Sequence, residues 1–179
     1  MPVTTRLLDD AAMARTLERM GADIIERCKG GEAPVLVGIQ RRGVFLADRL
    51  ATIVSRTLGP LRRGKLDITL YRDDLQQIGP RPVVGETSLP GDITGQTCII
   101  VDDVLYTGRT ARAALDEFAD FGRPRRILLC VLVDRGGREL PIQPDVAGLV
   151  VPTSSHDRVD VGVKELDGFD AVDLVRETS

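Results

Sequence analysis

The sequence predicts an α/β protein: a central, mostly parallel sheet flanked by helices, with a small antiparallel cap at the C-terminal end. Three observations lead there. Short uninterrupted aliphatic runs at residues 35–39, 98–101 and 127–133 have the composition of strands covered on both faces. Segments of helical spacing alternate with them, as parallel crossovers require. Each run also ends in a polar cluster containing glycine, at residues 40–43, 102–110 and 134–138. Open parallel sheets bind their ligands at that carboxyl edge.

The elements follow in order. Asp9 is placed to cap a first helix, with Leu8 and Met13 as a hydrophobic staple and Met13, Leu17, Met20 and Ile24 as its inward stripe. Gly30 and Gly31 stop it. Residues 35–39 form a buried strand, and residues 44–58 an amphipathic helix carrying Phe45, Leu46, Leu50, Ile53 and Val54. After Gly59 and Pro60, Leu66, Ile68 and Leu70 alternate with polar residues, which predicts a half-buried strand over residues 65–71. A long connection without a clear helix runs to about residue 97, a length usually explained by a functional lid or by disorder. Residues 111–121 read as a helix with Leu115, Phe118 and Ala119 inward, ended by Gly122 and Pro124. Strands follow at residues 127–133 and 146–151. Residues 159–163 and 171–175 can pair through a turn at Asp167 and Gly168, which gives the cap.

The length of 179 residues suits one domain with a proper core, and with aromatics at 3% and no Trp, aliphatic side chains must fill it. A net charge of −3 argues against a global electrostatic grip on nucleic acid and leaves room only for a local basic face. The three cysteines lack metal-ligand spacing and are expected as buried free thiols, and the lone His156 reads as an incidental loop residue. Residues 1–10 hold no apolar leader segment, and residues 127–133 are too few to span a bilayer, so a cytoplasmic protein with no membrane contact is expected.

Chemistry concentrates after the strand at residues 98–101. An isolated pair such as Asp102 and Asp103 would ordinarily cap a turn. Here Val104, Leu105 and Tyr106 lead directly into Thr107, Gly108, Arg109 and Thr110, which supply backbone and side-chain donors at a helix N-terminus, where phosphate binds well. Carboxylates can accept hydrogen bonds from vicinal ribose hydroxyls, so the stretch suits a ribose phosphate. Arg41, Arg42 and Gly43 occupy the equivalent strand end, either as an exposed loop or as a pyrophosphate seat.

The stretch 102–110 resembles the phosphoribosyl pyrophosphate (PRPP) motif of type I phosphoribosyltransferases. Residues 67–75, 101–110, 122–124, 132–142 and 152–154 narrow the resemblance to the family of bifunctional pyrimidine operon attenuators and uracil phosphoribosyltransferases, over nearly the whole chain. The resemblance implies a single phosphoribosyltransferase domain over residues 1–179, with a mobile lid at about 72–90 and a cap, or hood, at about 134–179. It implies conversion of uracil and PRPP to UMP and pyrophosphate, with Mg2+ carried by PRPP rather than by protein side chains alone.

By motif position Asp102, Asp103 and Arg109 are the catalytic set. Arg41, Arg42, Gly43, Val104, Leu105, Tyr106, Thr107, Gly108 and Thr110 would bind PRPP, and Arg72, Asp73, Asp74 and Arg81 belong to the lid. The base falls near Val133, Asp134, Arg135 and Val159. A closing lid would protect the reactive donor from water. The family also implies homodimers or larger assemblies and UMP-responsive binding of pyrimidine-operon leader RNA, for which Arg19, Arg27, Arg138 and Arg158 are the candidate contacts. This chain departs from the family pattern at Glu18, Ala22 and Gly137, each a lost RNA contact, and at Arg41 in the pyrophosphate loop. An attenuator that uses the PRPP site mainly as a nucleotide sensor, and a transferase for another base, are the alternative readings.

Overall fold

The computed structural model describes residues 1–69 and 86–177. Along the chain these form β1 (Val3–Leu8), α1 (Asp10–Cys28), β2 (Val35–Ile39), α2 (Arg42–Leu58), β3 (Arg63–Leu66), β4 (Thr97–Leu105), α3 (Arg109–Phe118), β5 (Arg126–Asp134), β6 (Val146–Val150), β7 (Arg158–Gly162), α4 (Lys164–Asp167) and β8 (Ala171–Arg176). Five strands pair in parallel in the order β3-β2-β4-β5-β6. The other three form an antiparallel sheet, β1-β8-β7, which is the hood.

Period-two alternation divides the core. On one face of the large sheet Leu36, Ile99 and Leu132 meet Met13, Met20 and Ile24 of α1 and Leu46 and Leu50 of α2. On the other, Val37, Ile100 and Val131 meet Ala111, Ala114 and Phe118 of α3. The predicted cap of α1 is present, with the Asp9 side chain accepting the Ala12 N–H at 2.8 Å. Cys28, Cys98 and Cys130 are buried free thiols, and burial pushes Cys98 up to about 11. Among the described residues no helix is long and apolar enough to cross a membrane.

Two glycines press the start of α2 onto the sheet. A Cβ on Gly38 would lie 2.4 Å from the Val44 Cα, and one on Gly43 would lie 2.5 Å from the Val101 carbonyl oxygen. The β2–α2 turn therefore sits against β4 itself. The hood is fastened to the same helix: Arg49 reaches Glu165 at 2.6 Å and Asp170 at 2.8 Å, and Arg42 reaches Asp167 at 2.8 Å.

Several elements differ from expectation. β1 was not foreseen; its residues are largely exposed, and it is specified by its ladder to β8 rather than by a hydrophobic pattern. The strand expected over residues 65–71 ends at Leu66, because Asp67 turns the chain by accepting the Thr69 N–H at 2.9 Å. Leu70 and Tyr71 lie outside the described residues, as do Arg72, Asp73, Asp74 and Arg81 of the expected lid. α3 runs over Arg109–Phe118, with Leu115 and Ala119 exposed and Glu117 turned inward beside Phe118. The hood hairpin closes through α4 as well as Gly168, whose φ of +83° suits glycine.

Gly38→Ala tests the close approach. Forcing a methyl group into backbone should cost about 1–3 kcal/mol, and thermal unfolding should fall by roughly 2–4 °C for each kcal/mol. An unchanged melting temperature would contradict the packing described.

Candidate active site

β4 stays in the ladder through Leu105, so both carboxylates leave from the strand. The Asp102 Oδ1 accepts the Asp103 N–H at 2.9 Å, and the Asp103 Oδ1 accepts the Val104 N–H at 2.8 Å. Burial first, and then the neighbouring Asp103, hold the Asp102 carboxyl well above the ordinary range. Asp103 lines an open cleft of about 430 Å³ whose other walls include Arg42, Val159, Asp160, Gly162 and Asp167.

Beyond β4 the chain turns through Gly108, at φ +94°, into α3. The Thr107 carbonyl accepts the N–H groups of Glu139 and Leu140 at 3.0 and 3.1 Å, and the Thr107 Oγ1 accepts the Arg109 N–H at 3.3 Å. The first bond inside the helix runs from the Arg112 N–H to the Gly108 carbonyl at 3.0 Å, so Thr110 and Ala111 keep N–H groups without an intrahelical acceptor. That end of α3 is suited to an anion. The Arg109 guanidinium meets Glu139 at 2.9 Å.

Gly43 carries its loop against Val101 and Asp102 and so brings Arg42 to the cleft that Asp103 lines. Arg42 is forked onto Asp167, with its Nη2 and Nε donating at 2.8 and 3.2 Å. This contact, followed by the Val163 N–H bond, holds the Asp167 carboxyl below its ordinary range. Arg41 is exposed at the mouth of the loop, joined to Gln40 by a cis peptide.

The loop after β5 is held by its own side chains. Asp134 and Arg135 are buried. Arg135 donates to the Thr153 hydroxyl and to the carbonyls of Ser154 and Asp157, and its guanidinium lies 3.8 Å over the Tyr106 ring. Asp134 pairs with Arg138 at 2.7 Å, and Arg138 also donates to the carbonyls of Tyr106 and Ile142. Gly137 adopts φ +79°, and a Cβ there would fall 2.3 Å from the Tyr106 ring, so this loop conformation calls for glycine.

The structure thus brings Asp102, Asp103, Arg42, Gly43 and residues 107–110 to one edge. Of the expected base contacts, Val159 lines the cleft, while Val133 is fully buried and Arg135 faces its own loop. Of the four candidate RNA contacts, three are ion-paired and Arg19, bonded to a carbonyl, keeps its charge. Arg19 donates to the Gly148 carbonyl, Arg27 meets Asp23 at 2.9 Å, Arg138 meets Asp134, and Arg158 meets Asp160 at 2.7 Å.

Two features escaped the sequence. Asp167 looked like a turn residue, and nothing local marks it as the partner of Arg42. Glu117, on a helix expected to turn Leu115, Phe118 and Ala119 inward, is 3% exposed; its Oε1 accepts the Thr87 hydroxyl at 2.6 Å and its Oε2 has no hydrogen-bond partner among the described residues. Burial first raises its pKa; the Thr87 bond opposes the rise, and Asp67 and Asp120 add to it.

A five-stranded parallel sheet that delivers an acidic pair and an anion-ready helix end to a cleft beneath an antiparallel hood defines a phosphoribosyltransferase of type I. The phosphoribosyl transferase domain family matches residues 3–166. The chain is 54% identical over 175 residues to the bifunctional protein PyrR of Thermus aquaticus, covering 97% of each, and 49% identical to that of Clostridium acetobutylicum, covering 97% of this chain and 98% of the relative. It belongs to the PyrR family of phosphoribosyltransferases. A hypoxanthine phosphoribosyltransferase of Trypanosoma cruzi shares the fold with a TM-score of 0.74 at 16% identity over 97% of each chain. One from Staphylococcus aureus gives 0.71 at 18% identity over 94% and 90%.

Glu117 sets a pH dependence. Its folded pKa lies above the unfolded value of 4.5, so the folded state binds more protons and stability falls as pH rises from that value through the folded pKa. Glu117→Gln, which keeps an acceptor for Thr87, should flatten that decline. Its melting temperature at neutral pH should exceed that of the native protein by about 2–4 °C if ~1 kcal/mol is recovered, with the two curves converging near pH 4. Parallel curves would refute the assignment.

Proposed function

We propose that the protein is a uracil phosphoribosyltransferase that converts uracil and PRPP to UMP and pyrophosphate, and that it also regulates pyrimidine genes by UMP-responsive binding to leader RNA. The observation that carries the enzymatic reading is the acidic pair at the end of β4, set between the N-terminus of α3 and the Arg42 loop. The PyrR relatives and the sequence resemblance support uracil as the base.

In this reading the first turn of α3, with the Thr107 and Thr110 hydroxyls, holds the 5′-phosphate, and Asp102 and Asp103 accept hydrogen bonds from the ribose hydroxyls. Positive charge grows on the ribose as pyrophosphate leaves, and the carboxylate of Asp103 stabilises it across the cleft. Arg41 and Arg42 neutralise the departing anion. No covalent nucleophile is called for; the chain supplies orientation and a fixed electrostatic field.

Among the described residues no group of three or more acidic, His or Cys side chains is gathered as a metal site. Two adjacent carboxylates nevertheless offer the hard oxygen donors that Mg2+ prefers, and they fit an ion carried in with PRPP. Bound there, Mg2+ would supply charge neutralisation to the leaving pyrophosphate. Val159 forms part of the wall against which the base lies. A homodimer or larger assembly belongs to the same reading, supported by the exposed Leu115 beside an apolar depression lined by Ile127, Pro141 and Ile142.

Asp103→Asn should lower kcat/KM for PRPP by roughly 10- to 100-fold, the loss of one or two charge-assisted hydrogen bonds. Asp102→Asn should also impair transfer, while leaving the melting temperature equal or higher, because it removes a buried charge beside a like charge. UMP formation and thermal unfolding measured on the same samples decide the matter. Loss of stability without loss of transfer would return the pair to a structural role, and turnover of other bases but not uracil would overturn the substrate.

A further inference from the structure

One wall of the cleft beside Asp103 is aromatic and has no part in the chemistry so far described. Phe169 is 53% exposed, and it lines this cleft with Arg42, Asp103 and four consecutive residues of β7, Val159 to Gly162. Among the described residues that line the cleft it is the one ring. Rings are scarce in this chain, which holds four Phe, two Tyr and no Trp. Of these, Phe118 is buried and Tyr106 is covered by the Arg135 guanidinium.

The fold holds this ring in place. Val159 and Val161 of β7 turn into the core, while Asp160 on the opposite side of the strand is exposed. Gly162 shares the side of Asp160 and is nevertheless buried, because the Phe169 ring lies over it; a Cβ on Gly162 would run into the ring atoms Cε2 and Cδ2. The backbone on either side of the ring is tied down as well. Asp167 is bound to Arg42 and Asp170 to Arg49, both on α2. Phe169 is therefore braced against Gly162 and still open to the cleft.

The surroundings suit a neutral, planar ligand. Asp160, Asp167 and Asp173 also line the cleft, and each has an arginine partner, in Arg158, Arg42 and Arg6, so their charges are compensated locally. A single ring among carboxylates lacks the apolar centre that a protein interface requires. A braced ring with one open side instead offers a stacking platform for a base. β7 is the outer strand of the hood sheet, and the backbone groups along its free edge are available to the rim of such a ligand. We propose that the Phe169 ring is the stacking surface of the base site and lies against the face of uracil. The assignment rests on the uracil-transferase reading above and adds to it the side chain that holds the plane of the base.

Steady-state kinetics of the full chain, with uracil and PRPP varied separately, test the role. Phe169→Ala should raise KM for uracil about 5- to 150-fold, the range of one lost base–aromatic stack. Its kcat and its KM for PRPP should stay at the native values, as removal of uniform binding to the base requires. Phe169→Tyr should retain the native KM for uracil and Phe169→Leu should not, which separates a stacking ring from apolar bulk over Gly162. Phe169→Trp introduces the only indole into a chain without tryptophan. Its emission should be quenched by UMP and not by ribose 5-phosphate, which lacks the base. If the native chain turns over uracil while Phe169→Ala or Phe169→Leu keeps the native KM, or if UMP leaves the indole emission unchanged, the stacking role falls and the transferase reading stands. If the native chain forms no UMP from uracil, the substrate reading falls and the stacking role with it.

Discussion

The site depends on one contact of backbone with backbone. Gly43 lies against the Val101 carbonyl and the Asp102 Cα so closely that any side chain would displace it. Because it lies there, the first turn of α2 touches the strand carrying the acidic pair, and Arg42 and Asp103 face one cleft. Gly38 repeats the device one step earlier, against Val44. Both contacts are underlain by strands buried on their two faces, so the spacing between the arginine loop and the carboxylates is inherited from a close-packed core.

The hood is held to this framework by charge rather than by apolar packing alone. Arg49 forks between Glu165 and Asp170, and Arg42 grips Asp167, so α4 is tied to two turns of α2. Partly exposed pairs of this kind contribute little to stability singly. Their directional value is larger, because guanidinium forks fix orientation. Arg42 consequently belongs to two structures at once: it closes the hood onto α2, and it lines the cleft that Asp103 also lines.

How far the sequence foretold this depends on what each element is buried against. β2 was legible to the residue and β5 to within one at each end, because both faces of each strand are apolar and the pattern is continuous. The cap of α1 was legible because Asp9 acts within its own turn. β1 was illegible for the opposite reason: an exposed strand defined by a partner that lies 167 residues away at the Arg6–Asp173 pair leaves no local pattern. In α3 the helical period was sound, but the inward position fell to Glu117 and not Leu115, and hydropathy cannot announce a buried carboxylate. The phosphate and ribose chemistry expected of the site came from residue types. The base was reached through resemblance.

The same distinction governs the charges. A sequence counts cations; a fold decides which remain available. With Lys and Arg at 24 against 27 acidic residues the chain is nearly balanced, and of the arginines that the resemblance suggested for RNA, Arg27, Arg138 and Arg158 are paired with Asp23, Asp134 and Asp160 while Arg19 donates to a carbonyl. An arginine already forked onto an aspartate offers an incoming phosphate little net field, since its neighbour repels what it attracts. Arg135 illustrates the limit: buried, stacked on Tyr106 and donating to three acceptors, it is part of the architecture. Among the described residues Arg15, Lys29, Arg41, Arg123 and Arg125 are exposed and have no ion pair. Electrostatic steering acts through unsatisfied charge rather than through the total.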